Sequence, residues 1–435
     1  MSAQPNRKQQ RLAREISKSE GVPYQTALTK IRATAGPQSP SPVGSVPRPT
    51  LFDQIERTNP SPAGHREDSF SFLNRVDGPY WGNVRDQLEL WYEAFPDADG
   101  DLRSRFRNAA PQQHYAAWWE LYLHRLFKRL GFEIEVHPVL EHSSGRPDFA
   151  LTRKQEFFYV EALTVFSGID EPGRHGAREA EITEALESVN NGDFHLKLRF
   201  IQVGSASPRR APIVREVTGW LNSLDPNAVT NGMERTYELP TKTFTEGDWI
   251  LELGAWPVTA EHRGGDHPLI VGAPISGLVN DVEKLRAALE RKHARYKRPE
   301  APLVLAVLAM SSFMEDRAIA SALFGSEAIM MPKSGVGAAK MVRQPDGFWL
   351  NRGGAAGDRA SAVLIGKGIM HHNCGGTWPQ LWHHPLASEA LNVDLPFPAA
   401  RVIDDALQLT DGRGHPHELL GLTADWPGPH PPFPR

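Results

Sequence analysis

The stretch GRPDFALTRKQEFFYVEALTV, residues 145–165, sets two carboxylates in unusual places. Asp148 follows a proline at the start of one β-prone run, and Glu161 lies inside the next, among Tyr159, Val160, Ala162 and Leu163. A short polar turn separates the runs, so the spacing predicts an antiparallel hairpin. Period-2 alternation puts Tyr159, Glu161 and Leu163 on one face and Val160 and Ala162 on the other, and brings Asp148 and Glu161 towards each other across the hairpin. Two carboxylates at short range in a half-buried site repel. A divalent cation removes the conflict: Mg²⁺ is held by one or two carboxylates, with waters and a substrate phosphate completing its octahedron. Such an ion activates water and stabilises charge at phosphorus in phosphodiester hydrolysis. The purely structural alternative is a turn-starting Asp148 and a Glu161 paired with an arginine such as Arg146 or Arg199.

The elements that must position these groups are legible on both sides. QQHYAAWWELYLHRLFKRLG, 112–131, carries apolar residues at helical spacing and ends on a glycine stop. Glu120 sits beside Trp118 and Trp119, near the edge of that apolar face. FEIEVHPVL follows as a strand, then the hairpin. Downstream, REAEITEALESVNNG, APIVREVTGWLNSL and DVEKLRAALERKHARYK read as helices. FHLKLRFIQVG, DWILELGAWPV, APLVLAVLAM, GFWLN and ASAVLIG read as strands. Helices interleaved with strands predict an α/β fold, a mixed β-sheet flanked by helices.

A helix bearing Glu120, a strand, then RPD and YVEAL on neighbouring strands resembles the PD-(D/E)xK nuclease superfamily, the restriction-endonuclease-like fold. The resemblance covers residues 112–205, with support from EKLRAALERKHARYK and PLVLAVLAM to about 310. It implies an αβββαβ core, Asp148 and Glu161 as metal ligands, Glu120 as the helical acidic residue, Mg²⁺ or Mn²⁺ as cofactor and DNA as substrate. It also implies a place in restriction or phage defence. One position departs from the pattern. The lysine expected two residues after the acidic one is Leu163, which can neither orient a water nor stabilise charge on the phosphate. The superfamily lets this lysine move to a neighbouring element, and two residues are candidates. Lys292 lies in ERKHARYK, on a helix leading into a buried strand; Lys197 lies in FHLKLRF, where His195, Lys197 and Arg199 share a strand face. If the lysine is lost outright, the same fold becomes a catalytically inactive protein that binds nucleic acid or a protein partner. A third reading is a metal-dependent hydrolase of a small phosphate ester.

The remaining chain divides by composition. Residues 1–35 read as a basic helical head, with seven Lys and Arg against Glu15 and Glu20, suited to nucleic acid or a protein partner, or else a solvated extension. Residues 36–50 are a Pro/Ser/Gly-rich linker, 51–111 a mostly helical segment packing on the core, 112–420 the nuclease-like domain with elaborations, and 421–435 a Pro-rich tail. The formal net charge of -4 excludes a generic polyanion binder, so DNA contacts must come from local patches such as Arg209–Arg210 and RKHARYKR, 291–298. The single cysteine, Cys374, excludes an internal disulfide and fits a reducing compartment. With no signal-type apolar stretch and no membrane-spanning run, a cytoplasmic protein is expected. The oligomeric state is left open, a dimer being one alternative. His371, His372, Cys374, His383 and His384 crowd one segment, but their spacing fits no standard zinc pattern and suggests packing instead. No GxxxxGK[ST] and no GxSxG occurs, which argues against a P-loop motor and an esterase-type hydrolase.

Overall fold

The computed structural model describes residues 48–64, 67–140, 145–166, 174–236, 239–264, 270–272, 281–296, 300–310, 314–330, 340–404 and 406–429. The chain divides into a unit of residues 1–50 and a unit of residues 51–435. The basic head and nearly all of the linker lie outside the described residues, as do positions 297 and 298 of the basic cluster. The second unit is mixed α/β, built on a large mixed sheet with helices on both faces. Among the described residues, no helix is long and apolar enough to cross a membrane.

Three helices, α1 (Ser69–Arg75), α2 (Pro79–Ala94) and α3 (Asp101–Phe106), precede the long α4 (Pro111–Arg129). Proline at its first turn starts α4, where the missing N–H costs nothing. The expected hairpin forms: β1 (Glu133–Val136), β2 (Phe149–Arg153) and β3 (Glu156–Phe166) pair antiparallel in sequence, with Lys154 left-handed in the β2–β3 turn. The chain then leaves the main sheet and returns only at α8 (Asp281–His293) and β8 (Leu303–Met310). The full sheet order is β1-β2-β3-β8-β13-β14-β15-β16, with β13 at Ala362–Lys367, β14 at Gln380–His383, β15 at Ala399–Ile403 and β16 at Ala406–Thr410. β8 runs parallel to β3 on one side and to β13 on the other. That double-sided burial is why LVLAVLAM carries no polar residue.

Each face of the sheet has its own core. Trp118, Trp119, Tyr122 and Leu126 of α4 pack with Val160, Ala162, Ala306, Leu308 and Leu364. Leu163, Val165, Leu305, Val307, Val363 and Ile365 point the other way, against Leu285 and Leu289 of α8 and Ile319 and Leu323 of α9 (Asp316–Phe324).

Residues 174–272 form an insertion between β3 and α8. It holds α5 (Arg174–Glu187), β4 (Phe194–Gln202), α6 (Arg210–Leu221), α7 (Pro226–Thr236), β5 (Thr241–Glu246), β6 (Trp249–Pro257) and β7 (Ile270–Gly272). Its four strands form a separate sheet, β5-β6-β4-β7, around a third core that shares no residue with the other two. β4, the last strand within the stretch that the resemblance covers, lies in this separate sheet and not beside the hairpin. The neighbour of β3 is β8, about 140 residues further on. The expected strand GFWLN is reduced to a two-residue pairing, β11 (Leu350–Asn351) with β12 (Gly354–Ala355), after the small hairpin of β9 (Glu327–Met330) and β10 (Lys340–Arg343). In the histidine-rich segment His371 packs against His114, and QLWH is the buried strand β14. A last short helix, α10 (Pro416–Leu420), precedes the tail.

α4 lies so close to the sheet that its Trp119 indole donates to the Ala306 carbonyl at 2.9 Å, and a Cβ on Gly366 of β13 would stand 2.6 Å from the Trp119 ring. Gly366→Ala is therefore expected to lower stability by about 1–3 kcal/mol by overpacking. Gly219→Ala, in a helix with open space around it, should raise it by roughly 0.5–1 kcal/mol. Thermal and urea melts of the two variants check both signs.

Candidate functional site

Asp148 lies close enough to Glu120, Glu161 and Lys292 for all three charges to act on its carboxyl. Asp148 stands one residue before β2, opposite the level of Glu161, because Phe149 pairs with Val160 in the ladder. One of its oxygens, Oδ2, accepts the Ala162 N–H at 2.6 Å, so the hairpin itself fixes the carboxyl group. Burial pushes the Asp148 carboxyl well above its usual range, and the nearby charges of Glu120 and Glu161 push it the same way.

Glu120 reaches this point from α4. Its carboxylate is gripped at both oxygens by Arg105 of α3, at 2.8 and 2.7 Å. The short helix α3 is set by Asp97, whose carboxylate accepts the N–H groups of Leu102 and Arg103, each at 3.0 Å. Arg105 also pairs with Asp101 one turn back, at 2.9 Å.

Glu161, only 3% exposed, faces α8 rather than α4, as the period-2 reading of its strand requires. Its cationic partner is neither Arg146 nor Arg199. Lys292 Nζ donates to Oε1 at 2.5 Å and also reaches the Ala162 carbonyl at 3.3 Å. The Tyr296 hydroxyl donates to Oε2, also at 2.5 Å. Burial and then the Glu161 charge hold the Tyr296 phenol far above its usual range, so it stays a donor. Lys292 lies in the last turn of α8, and Tyr296 follows three residues past the helix end.

Among the described residues, Glu120, His137 and Asp148 each offer a ligand atom within 4.8 Å of the others. Glu161, expected as a metal ligand, is not one of the three; its two oxygens accept from Lys292 and Tyr296. His137 ends β1 in the left-handed region, at φ 50°, with its N–H donating to the Asp148 carbonyl at 2.9 Å. Its Nδ1 stands 3.8 Å from Asp148 Oδ1. Two carboxylate oxygens and an imidazole nitrogen suit a divalent cation of hard to borderline character. Sequence reasoning missed His137, since a residue before proline is expected to stay extended. It also missed Arg105, which lies across a helix break from Glu120. Tyr296 carried a signal, its four-residue spacing from Lys292.

The other candidate lysine is elsewhere. Lys197 is exposed on β4 of the inserted sheet, paired opposite Gly254, and that sheet has its own core. Of the arginines, Arg199 is tied to Glu252 at 3.1 Å, while Arg209 and Arg210 pair with Glu246 and Glu184.

No protein-family model, no curated protein and no solved structure matches this chain.

The raised Asp148 carboxyl makes a pH prediction for the protein in a chelator. The folded state holds the Asp148 proton to higher pH than the unfolded chain does, so stability falls as pH climbs from the ordinary aspartate value through the folded one. Asp148→Asn keeps an oxygen for the Ala162 N–H and removes the charge. Its melting temperature is expected to exceed the wild type's at neutral pH, with the gap closing towards pH 4. Equal melting curves at both pH values would show that Asp148 carries no such burden.

Proposed function

We propose that this protein is a divalent-metal-dependent nuclease of restriction-endonuclease-like architecture that hydrolyses DNA phosphodiester bonds. The observation that carries the reading is the 2.5 Å contact between Lys292 and Glu161. Leu163 occupies the place of the expected lysine, yet an ammonium reaches the same carboxylate from the helix that follows in the main fold. The order α4, β1–β3, α8 and β8, with β8 parallel to β3, agrees with the αβββαβ core that the sequence resemblance implies.

On this reading Asp148 and Glu120 hold the cation, with His137 at hand. The cation, Mg²⁺ or Mn²⁺, supplies an activated water and charge neutralisation at the phosphate. Lys292 places a positive charge beside the scissile phosphate, and its contact with the Ala162 carbonyl aims it along β3. Arg105 keeps Glu120 extended towards Asp148.

A second reading has one observation in its favour. Arg105 already takes both oxygens of Glu120, and Lys292 with Tyr296 take both of Glu161. Two of the three carboxylates are thus satisfied within the protein, as in a nuclease fold that binds nucleic acid or a partner without cutting.

Supercoiled plasmid with Mg²⁺ or Mn²⁺ separates the two. Nicking is expected for the wild type, with losses of at least about 100-fold in Asp148→Ala and Lys292→Ala and no change in Lys197→Ala. Salt-sensitive DNA binding without cleavage by clean protein would select the second reading.

A further inference from the structure

The inserted sheet has two unlike faces. Phe194, Leu196, Leu198 and Phe200 of β4, with Leu251, Leu253 and Ala255 of β6, face the helices and build the third core. Period-2 alternation sends the residues between them to the other side. There the ladder sets His195 opposite Trp256, Lys197 opposite Gly254 and Arg199 opposite Glu252. β5 adds Thr241, Thr243 and Thr245 to the same side, all three exposed.

Trp256 is the residue that needs a reason. Of the chain's eleven tryptophans, all among the described residues, it is the only exposed one, at 52%. An indole on an open strand surface adds nothing to the core and leaves apolar area in water. Its surroundings are cationic and hydroxylic. Glu252, the acid that these strands place on this side, is taken by Arg199 at 3.1 Å. The exposed ammonium of Lys197 meets only Gly254 across the ladder, so its charge is not cancelled there. The exposed Ile201 lies at the far end of β4, about 20 Å along the strand from the level of Trp256. Lys197 and Arg199 intervene, so no continuous apolar patch is offered to a protein.

An exposed aromatic ring beside positive charge and hydroxyl groups matches the chemistry of a nucleic-acid strand. Every unpaired base has a π-face to lay on an aromatic side chain, and the phosphates draw ammonium and hydroxyl donors. Bases inside a duplex are stacked on one another and offer no such face. The level of Trp256 and Lys197 are two residues apart on the ladder, about 7 Å, which one nucleotide spans from base to phosphate. We propose that the open face of the inserted sheet is a binding platform for single-stranded nucleic acid, with a base stacked on Trp256 and a phosphate held by Lys197. The platform belongs to a sheet with its own core. It goes beyond the nuclease reading and stands whether or not the metal centre cuts.

Fluorescence anisotropy of the full-length protein in EDTA tests this, with end-labelled oligo-dT and oligo-rU of about twelve nucleotides. The wild type is expected to bind, and unlabelled duplex of the same length to compete poorly. Trp256→Leu keeps apolar bulk without a π-face and should weaken binding about tenfold or more, whereas Trp256→Tyr should stay within about threefold. Lys197→Ala should lower affinity severalfold and flatten its salt dependence by about one phosphate contact. Lys242→Ala, whose ammonium lies over the Phe244 ring, should change nothing. A tighter hold on oligo-dT assigns DNA to this face, and a tighter hold on oligo-rU assigns RNA. Wild-type affinity in Trp256→Leu, or no binding of either strand by the folded wild type, would overturn the platform. Plasmid nicking is read separately: its absence in the wild type, or its survival in Asp148→Ala, bears on the metal centre alone.

Discussion

A carboxylate buried in the middle of an apolar strand must find its donors among its neighbours, and much of this fold follows from how Glu161 finds them. The strand β3 presents Glu161 and Leu163 to the same side, the side covered by α8. An unpaired charge there would cost several kcal/mol, so the helix has to dock in the rotation that brings Lys292 onto the carboxylate, and the segment after it brings Tyr296. That rotation also sets Leu285 and Leu289 against the sheet. α8 leads within ten residues into β8, and β8 pairs with β3 from Tyr159 to Phe166. One ion pair thus sits where helix docking, strand order and the centre of the sheet meet.

The insertion between β3 and α8 is explained by the same geometry. Both ends of the inserted segment are held by the main domain, at Phe166 and at Asp281. The helices and strands between them bury their own apolar faces against one another. A segment that supplies its own core can be added to a connection at small entropic cost, since closing a longer loop costs only slowly more. The one-sided character of the inserted sheet shows in β4: Phe194, Leu196, Leu198 and Phe200 point inwards, and Lys197 is exposed.

What the sequence made legible divides along physical lines. Local signals held: the alternation in FFYVEALTV assigned Glu161 its face, and the polar pair Lys154–Gln155 located the turn. The apolar run at 301–310 marked a strand buried on both sides. Lys292 was accessible to reasoning because a helix that runs into a buried strand must pass over the sheet. What failed was long-range partnership. The strict alternation of FHLKLRF was a sign of a sheet with one open face. Nothing local says which sheet a strand joins, and Lys197, offered as a substitute lysine from its strand face alone, belongs to the inserted sheet. His137 and Arg105 were missed for a related reason. Each reaches the site through a backbone turn, a left-handed residue in one case and a short capped helix in the other, and neither turn is written in side-chain periodicity.

The charges also explain why a leucine stands at 163. Position 163 faces the same way as Glu161, one step further along the strand, and is 6% exposed beneath α8. A lysine there would have to thread its stem out from under the helix or bury its ammonium among Leu285, Leu289 and Val307. Leucine fills that space and adds apolar area to the contact. The helix that closes over the position returns the ammonium from above, at Lys292. The pairings then leave one carboxylate over. Arg105 answers Glu120 and Lys292 answers Glu161, while Asp148 has a backbone N–H and an imidazole nitrogen 3.8 Å away. The carboxyl group without a full cationic partner stands just ahead of β2, beside Glu120 of α4 and His137 after β1, and burial next to the charges of Glu120 and Glu161 makes it the one that holds its proton most tightly above the usual aspartate range.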